Sequence, residues 1–460
     1  MTGASNSPTR NFDVASFLDG RRLSRYNYVL IALSCLVTLF DGLDMMLIAF
    51  VAPYIRADFT LTTGQLGSLF SAGLAGMVLG GVAFGWLGDR FGRRPLILAA
   101  TYGFAVLTLA TAGAGNYPQL LVLRFTDGVA IGGLVPLCWA LNIECVSARV
   151  RASVITAIMI GYSVGVAVAG PLTNWLAPSH GWRMVFVVAG MASLAAAVVL
   201  SLALPESIRF LILRGGRRSA VCRWLRRLDP TLSLPVELQF VLPDDTPPQT
   251  VRKQTVLAHL FDGKLRWVTP LLWLAYSASS VSITLISTWS PSVLEALDFS
   301  RAAASTASAV ANAAGAALGL LLMRFTDRYG PVTVILLPAC AIPLLVIEGL
   351  VPLDAATFIV VCVIAQSLIG GAHFAVSSIT ALFYPTSLRA SGAALAASIG
   401  KTASVFGPLI GVGVLTSGLP TVRLYAALAA FPLVLALSSA AMSVAVRERP
   451  PRARSSLCGL

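Results

Sequence analysis

Two aspartates lie inside a long apolar segment near the N-terminus. Asp41 and Asp44 are the charged residues of the segment 28–54. One charge at the centre of a bilayer costs about 2.5–3.5 kcal/mol on insertion scales, and two carboxylates three residues apart share one helix face, where they repel each other. A membrane helix tolerates such a pair where it lines a protein-enclosed, hydrated cavity. The pair therefore predicts transport of a charged solute or of protons.

The same spacing favours proton binding. Mutual repulsion and desolvation both stabilise the protonated forms of Asp41 and Asp44, and interacting acids titrate as a pair. We predict that the pair takes up protons outside and releases them inside. The alternative is a structural role, in which a buried cation such as Arg124 or Lys401 holds the helices together through these acids. Gly42 between the acids predicts the close approach of a second helix.

Two cations and a histidine lie deep in other apolar segments. Arg124 has Asp127 three residues later, so it is either a structural ion pair or a residue of proton coupling and of substrate binding, since guanidinium binds carboxylates bidentately. Lys401 lies about ten residues, roughly 15 Å of helical rise, into its segment and predicts binding of a substrate carboxylate. His373 either binds a phenol or carboxylate of the substrate or is a core histidine.

The rest of the chain supplies the membrane helices that hold these residues. Apolar residues make up 57% of the 460 residues, charged residues 12%, and the mean hydropathy is +0.81, unlike a soluble domain. We predict an all-α integral membrane protein with twelve transmembrane helices in two pseudo-symmetric six-helix bundles. The predicted spans are 27–54, 64–87, 95–115, 118–143, 153–177, 182–204, 267–290, 302–323, 331–351, 355–383, 391–416 and 421–446.

Short motifs repeat between the two halves at nearly the same sequence offset. The repeated motifs are Asp89-Arg90 with Asp327-Arg328, Arg151-Ala152-Ser153 with Arg389-Ala390-Ser391, and Gly170-Pro171 with Gly407-Pro408. Such duplication is typical of transporters. The predicted parts are a cytoplasmic tail (1–26), an N-terminal bundle (27–204), a cytoplasmic linker (205–266), a C-terminal bundle (267–446) and a second cytoplasmic tail (447–460).

The basic residues predict the orientation in the membrane. With both termini in the cytoplasm, all but six of the 33 lysines and arginines fall in the tails and cytoplasmic loops, as the positive-inside rule requires. The net charge of +13 therefore needs no nucleic acid partner. Within the linker, 214–227 predicts a basic helix on the anionic inner leaflet, and 229–250 predicts a flexible, proline-rich stretch. No removable signal peptide is predicted.

The sequence does not indicate an enzyme. The seven cysteines are scattered without the spacing of a metal site, and neither a nucleophile–base pair nor a phosphate-binding loop is evident. We expect no cofactor and no metal, the proton gradient as the energy source, and a monomer in the lipid bilayer.

Several motifs resemble the major facilitator superfamily. They are the Gly-x-Leu-x-Asp-Arg-x-Gly-Arg-Arg loop at 85–94, the segment 124–133, and Pro205-Glu206-Ser207. Within the superfamily, Asp41-Gly42-Leu43-Asp44 resembles the DGxD motif of the aromatic acid:proton symporters, and 383–401 resembles a later motif of that family. The resemblance implies import of a small aromatic carboxylate, such as 4-hydroxybenzoate or protocatechuate, with protons across the inner membrane by alternating access.

Charged residues around the 85–94 loop and its degenerate copy predict a cytoplasmic gate. A charge network between the halves would hold one state of the transporter and break in the other, although the arginines also satisfy the positive-inside rule alone. Gly85, Gly88 and Gly92 would allow a tight turn and close helix contact. The predicted gate residues are Gly85, Asp89, Arg90, Gly92, Arg93, Arg94, Glu144, Asp327, Arg328 and Arg389.

The chain departs from the aromatic acid family at two positions. Lys401 stands where that family usually has Arg, and it keeps the charge without the planar fork. His373 stands near a frequent Gln and changes hydrogen bonding in the cavity. Two alternatives stay open. Another transporter of the superfamily (a drug:proton antiporter, or an importer of sugars or aliphatic acids) fits Gly170-Pro171 or Pro205-Glu206-Ser207, and a non-transporting sensor of aromatic acids would bind its partner through 205–266.

Overall fold

The computed structural model describes residues 11–21, 23–147, 150–213, 218–228, 239–241, 259–263, 265–329, 332–384, 386–420 and 422–447. The N-terminal elements are β1 (Asn11–Asp13), α1 (Val14–Asp19), α2 (Arg25–Phe59), α3 (Thr63–Phe91), α4 (Arg93–Ala112), α5 (Tyr117–Gly132), α6 (Leu134–Ile143), α7 (Arg151–His180), α8 (Trp182–Ala203), α9 (Ile208–Leu213), α10 (Arg218–Leu228) and β2 (Gln239–Val241). The C-terminal elements are α11 (Leu265–Ala296), α12 (Arg301–Tyr329), α13 (Val332–Leu350), α14 (Ala355–Phe383), α15 (Thr386–Ser404), α16 (Gly407–Leu415), α17 (Arg423–Leu428) and α18 (Ala430–Arg447).

These helices occupy the positions of the twelve predicted spans. Three spans are each divided into two helices, namely α5 with α6, α15 with α16, and α17 with α18. Within the described residues, ten helical segments are long and apolar enough to cross a membrane, and 334–350 is a shorter apolar helix. The all-α membrane fold that hydropathy predicts is therefore the fold observed.

Glycines set the closest helix contacts around the predicted acids. A Cβ at Gly42 of α2 would overlap the backbone carbonyl of Tyr162 in α7, which confirms the close approach predicted at Gly42. In the same way, Gly128 of α5 lies against the carbonyl of Gly73 in α3. Because only glycine leaves room for such contacts, α2 is bound closely to α7, and α5 closely to α3.

The described residues fall into two compact units. The first takes in those within Met1–Val251, Thr284–Ala313 and Ser404–Thr421, and the second those within Arg252–Ile283, Ala314–Ala403 and Val422–Leu460. The core of the second unit is apolar and includes Leu272 of α11, Leu337 of α13, Ala375 of α14 and Leu435 of α18. Four helices of the second unit therefore share one apolar core, as expected of an all-α membrane protein.

The basic stretch of the linker is a helix that packs on the first unit. The described part of the basic stretch 214–227 is helical, in α10, as predicted. Its apolar residues Val221, Trp224 and Leu225 are buried in the core of the first unit, and Arg226 is exposed. The apolar face of α10 therefore packs on protein, and Arg226 on its other face is exposed.

Part of the segment predicted to be flexible is a strand. Gln239–Val241 forms β2 and pairs in parallel with β1 in the N-terminal tail, with Phe12 opposite Phe240. The ring centroids of these two phenylalanines are 6.0 Å apart. The prediction of a flexible linker is therefore wrong for these three residues, because backbone hydrogen bonds and an aromatic pair hold them to the tail.

Candidate functional site

A buried cluster of charges joins α2, α4 and α5 in the first unit. Nη1 of Arg124 donates to both carboxyl oxygens of Asp44, at 3.2 and 3.1 Å. Nη2 lies 3.0 Å from Oδ2 of Asp127 and donates to Oγ1 of Thr111 at 3.2 Å. Arg124, Asp44 and Asp127 are only 4%, 5% and 1% exposed. One guanidinium therefore holds two carboxylates from two helices where water screens them little.

The flat face of the guanidinium is also covered. The Cζ of Arg124 lies 5.3 Å from the ring centroid of Phe186 in α8, a distance at which a cation is attracted to an aromatic face. Both terminal nitrogens already bind acids, so a substrate carboxylate can bind Arg124 bidentately only by displacing Asp44 or Asp127.

Asp41 lies one helical turn before Asp44 and is also inside the protein. Its exposed fraction is 2%, so both acids of the predicted pair are surrounded by protein and neither faces lipid. This placement is the one that the proton-coupling hypothesis needs. The structure brings Arg124 to Asp44, as the sequence allows, and Asp127 joins the pair as a third charge.

A small cavity lies beside this cluster. It has a volume of about 40 Å³, and its lining includes Asp44, Phe70, Arg124, Asp127 and Thr288. This volume is enough for water beside the buried charges.

The two candidate substrate residues outside this cluster lie in the second unit. His373 of α14 is partly buried, and its Nδ1 is 3.0 Å from Oγ of Ser279 in α11. Lys401 of α15 is exposed, and its neighbour Gly400 lies against the carbonyl of Tyr276 in α11. Both residues thus lie beside α11. Their roles in binding stay predictions.

Several of the residues predicted to form the gate take part in an ion network at the start of α4. Nη2 of Arg93 lies 2.7 Å from Oε1 of Glu144, which follows α6, and Oγ of Ser207 donates to Glu144. The backbone amides of Arg93 and Arg94 donate to Oε1 of Glu206 at 3.0 and 3.2 Å. These contacts all lie within the first unit, so they connect α4, α6 and the segment after α8.

The glycines of the 85–94 loop do not all have the predicted role. Gly92 separates α3 from α4 with φ of +98° and lies against Glu206, and Gly88 lies against Leu137. The close contact predicted at Gly85 is wrong, because a Cβ there would meet no atom of the described residues within 4 Å. The predicted turn therefore depends on Gly92.

Arg90 takes part in aromatic contacts. Its Cζ lies 5.6 Å from the ring centroids of both Trp86 and Phe91. The side chains of four other predicted gate residues, Asp89, Asp327, Arg328 and Arg389, lie outside the described part of the structure.

Glu206 offers a test of the α4 terminus. Its carboxylate accepts from the first amides of α4, where negative charge is stabilising by about 0.3–1 kcal/mol. We expect Glu206→Gln to lower the melting temperature of the purified protein in detergent, and Glu206→Ala to lower it further. Glu295→Gln is the control, since its partner Arg301 is half-exposed. Equal melting temperatures for all three variants and the wild type would contradict the capping role.

Several residues of these sites have a weak signal in the sequence or none. Asp127 was expected only to neutralise Arg124, although the three-residue spacing between them was a visible signal. Thr111 and Phe186 had no signal, since only packing brings α4 and α8 to Arg124. Outside these sites, the fully buried carboxyl group of Glu348, the one acid in α13, had no predicted role. A single acid in an apolar span was a signal of the same kind as Asp41.

Comparisons with known proteins agree with this architecture. The model of the Major Facilitator Superfamily matches residues 34–408. The gallate transporter of Pseudomonas putida is 32% identical over 428 residues, covering 92% of this chain and 94% of the relative. The 4-hydroxybenzoate transporter PcaK of the same organism is 32% identical over 421 residues, covering 91% and 93%.

Solved structures show the same fold at lower identity. A bacterial homologue of the human lysosomal transporter Spinster superposes with a TM-score of 0.69 at 17% identity, covering 93% of this chain and 98% of that one. The xylose transporter XylE of Escherichia coli superposes with a TM-score of 0.70 at 17% identity, covering 90% and 97%. The chain therefore belongs to the major facilitator superfamily, and it is a multi-pass membrane transporter rather than an enzyme.

Proposed function

We propose that the protein imports a small aromatic carboxylate, such as 4-hydroxybenzoate or protocatechuate, together with protons. The observation that carries this proposal is the buried Arg124 with its two carboxylates beside a cavity. Relatives of similar length are named as transporters of gallate, 4-hydroxybenzoate and 3-(3-hydroxyphenyl)propionate. These solutes share a carboxylate and a hydroxylated ring. A buried guanidinium suits the carboxylate, and its apolar surrounding suits the ring.

Coupling between protons and substrate would follow from competition for Arg124. While Asp44 is ionised, it occupies Nη1 of Arg124 with both oxygens. A proton on Asp44 removes its charge and weakens that contact, since hydrogen bonds between ionised partners are the stronger ones. A substrate carboxylate then takes its place. The proton gradient supplies the energy, and no cofactor is needed.

Lys401 and His373 would complete substrate recognition. An ammonium group is a point charge that accepts a carboxylate from many directions, and an imidazole nitrogen is a partner for a phenolic hydroxyl. We propose that these two residues of the second unit bind the substrate in this way, with the substrate moving by alternating access.

The charge distribution supports a place in the inner membrane. The positive-inside rule favours an orientation with both termini in the cytoplasm, and the exposed arginine face of α10 suits the anionic inner leaflet. The protein is proposed to act as a monomer.

Uptake by membrane vesicles tests this function. We expect right-side-out vesicles to accumulate labelled 4-hydroxybenzoate, and an uncoupler to abolish the accumulation. Asp41→Asn should abolish it as well, because the amide cannot carry a proton. Asp58→Asn on the same helix is the matched control, since Asp58 is half-exposed and pairs with Arg183 at 2.7 Å.

Two results would contradict the proposal. Uptake that is unchanged by the uncoupler and by Asp41→Asn would refute proton coupling. Accumulation of labelled xylose or of an aliphatic acid in preference to 4-hydroxybenzoate, gallate and benzoate would refute the substrate class.

A further inference from the structure

Asp127 has a position that a simple counter-ion would not need. Its Oδ2 lies 3.0 Å from Nη2 of Arg124, but its Oδ1 is buried and has no hydrogen-bond partner among the described residues. Asp44, by contrast, uses both oxygens on Nη1 of the same guanidinium. The two acids thus bind the two ends of one cation, and their carboxyl groups lie close to each other.

The charges of this cluster do not balance when every group is ionised. Two carboxylates and one guanidinium sum to a net charge of −1, and each of the three residues is at most 5% exposed. The buried Asp41, one helical turn before Asp44, can add only negative charge to this balance. A buried charge without a partner is strongly destabilising. One bound proton makes the cluster neutral, so the arrangement itself favours binding of one proton.

The geometry also distinguishes between the two acids. Protonation of Asp44 would weaken two charge-assisted contacts with Nη1, whereas protonation of Asp127 on Oδ1 would weaken only one, the contact of Oδ2 with Nη2. Oδ1 is therefore the atom at which a proton costs the fewest interactions. Both acids line the cavity of about 40 Å³, which has room for the water molecule that would deliver the proton.

We propose that Asp127 is a proton-binding residue of the transport cycle and shares one proton with Asp44 over Arg124. This inference rests on the proposed proton-coupled import. A hydronium ion from the outer side gives its proton to Oδ1 of Asp127. An O–H bond forms at Oδ1, a water molecule is released, and the net charge of the cluster changes from −1 to zero. Transfer of the proton to inner water restores the carboxylate. When the shared proton moves to Asp44, Arg124 is released to the substrate.

Two modes of transport in proteoliposomes separate this role from a structural one. Accumulation of labelled 4-hydroxybenzoate under an imposed pH gradient requires proton movement, whereas counterflow exchange of the same solute at equal pH does not. We expect Asp127→Asn to reduce accumulation at least tenfold and counterflow far less, because the amide is neutral like the protonated acid. Substrate-induced proton entry, followed with a pH dye inside the vesicles, should be lost.

A second pair of variants keeps the test decisive if Asp127→Asn does not assemble. Asp127→Glu and Asp127→Gln have the same length and differ in whether they can bind a proton. Accumulation with a shifted pH midpoint in Asp127→Glu, and counterflow alone in Asp127→Gln, supports the proposal. Equal accumulation in both would overturn it.

The remaining outcomes are also distinguishable. Asp127→Asn that accumulates solute like the wild type, or that loses counterflow together with accumulation, would overturn the proton-binding role of Asp127. Wild-type protein that accumulates no aromatic acid in vesicles would instead refute the proposed function itself.

Discussion

Arg124→Met should abolish transport and lower the free energy of unfolding by about 3–5 kcal/mol, the usual effect of removing one partner of a buried ion pair. The loss is large because the variant leaves Asp44 and Asp127 buried without their cation. Transport is lost because no guanidinium remains to exchange these acids for the substrate. Uptake of labelled 4-hydroxybenzoate and unfolding of the purified protein in detergent measure the two effects.

A surface ion pair provides the control for this result. Arg183 lies 2.7 Å from Asp58, and the two side chains are 44% and 41% exposed. Exposed pairs contribute about 0–1 kcal/mol, so Arg183→Met should keep most of the stability and the transport. If Arg124→Met unfolds at the same denaturant concentration as Arg183→Met, the cluster around Arg124 is not a buried ion network.

Gly42→Ala should separate α2 from α7 and reduce both stability and transport. The new Cβ would overlap the carbonyl of Tyr162, and overpacking of this kind costs about 1–3 kcal/mol. Displacement of α2 would also move Asp41 and Asp44 on either side of the substitution. Melting temperature and uptake are measured on the same preparation.

Gly413→Ala is the matched control for this helix contact. Gly413 lies in α16, and within the described part of the chain a Cβ there would meet no atom within 4 Å, so the variant should melt and transport like the wild type or slightly better. A melting temperature for Gly42→Ala equal to that of Gly413→Ala would show that α7 yields to the extra methyl group.

Local patterns in the sequence predicted a large part of this molecule. Hydropathy placed the membrane helices, because a bilayer demands long apolar segments whatever their packing. The spacing of Asp41 and Asp44 put both acids on one helix, and Gly42 predicted the close contact with α7. Arg124 and Asp127 are about one helical turn apart, and this spacing predicts their pairing. Each of these features depends on residues close together in the chain.

Features that depend on packing between distant segments were not predictable. The choice of Asp44 as the partner of Arg124 is made by the positions of α2 and α5, and Phe186 reaches the guanidinium from α8. For the same reason Gly85 and Gly92 look alike in the sequence, although only Gly92 has a positive φ and a close neighbour.

The glycine contacts of the first unit have a mechanical consequence. Because α2 fits closely on α7 and α5 fits closely on α3, each helix pair should move as one rigid body. Arg124 and Asp44 join the two helix pairs, so the protonation of two acids would set how readily the pairs separate. A change of one elementary charge could in this way be converted into the displacement of four helices.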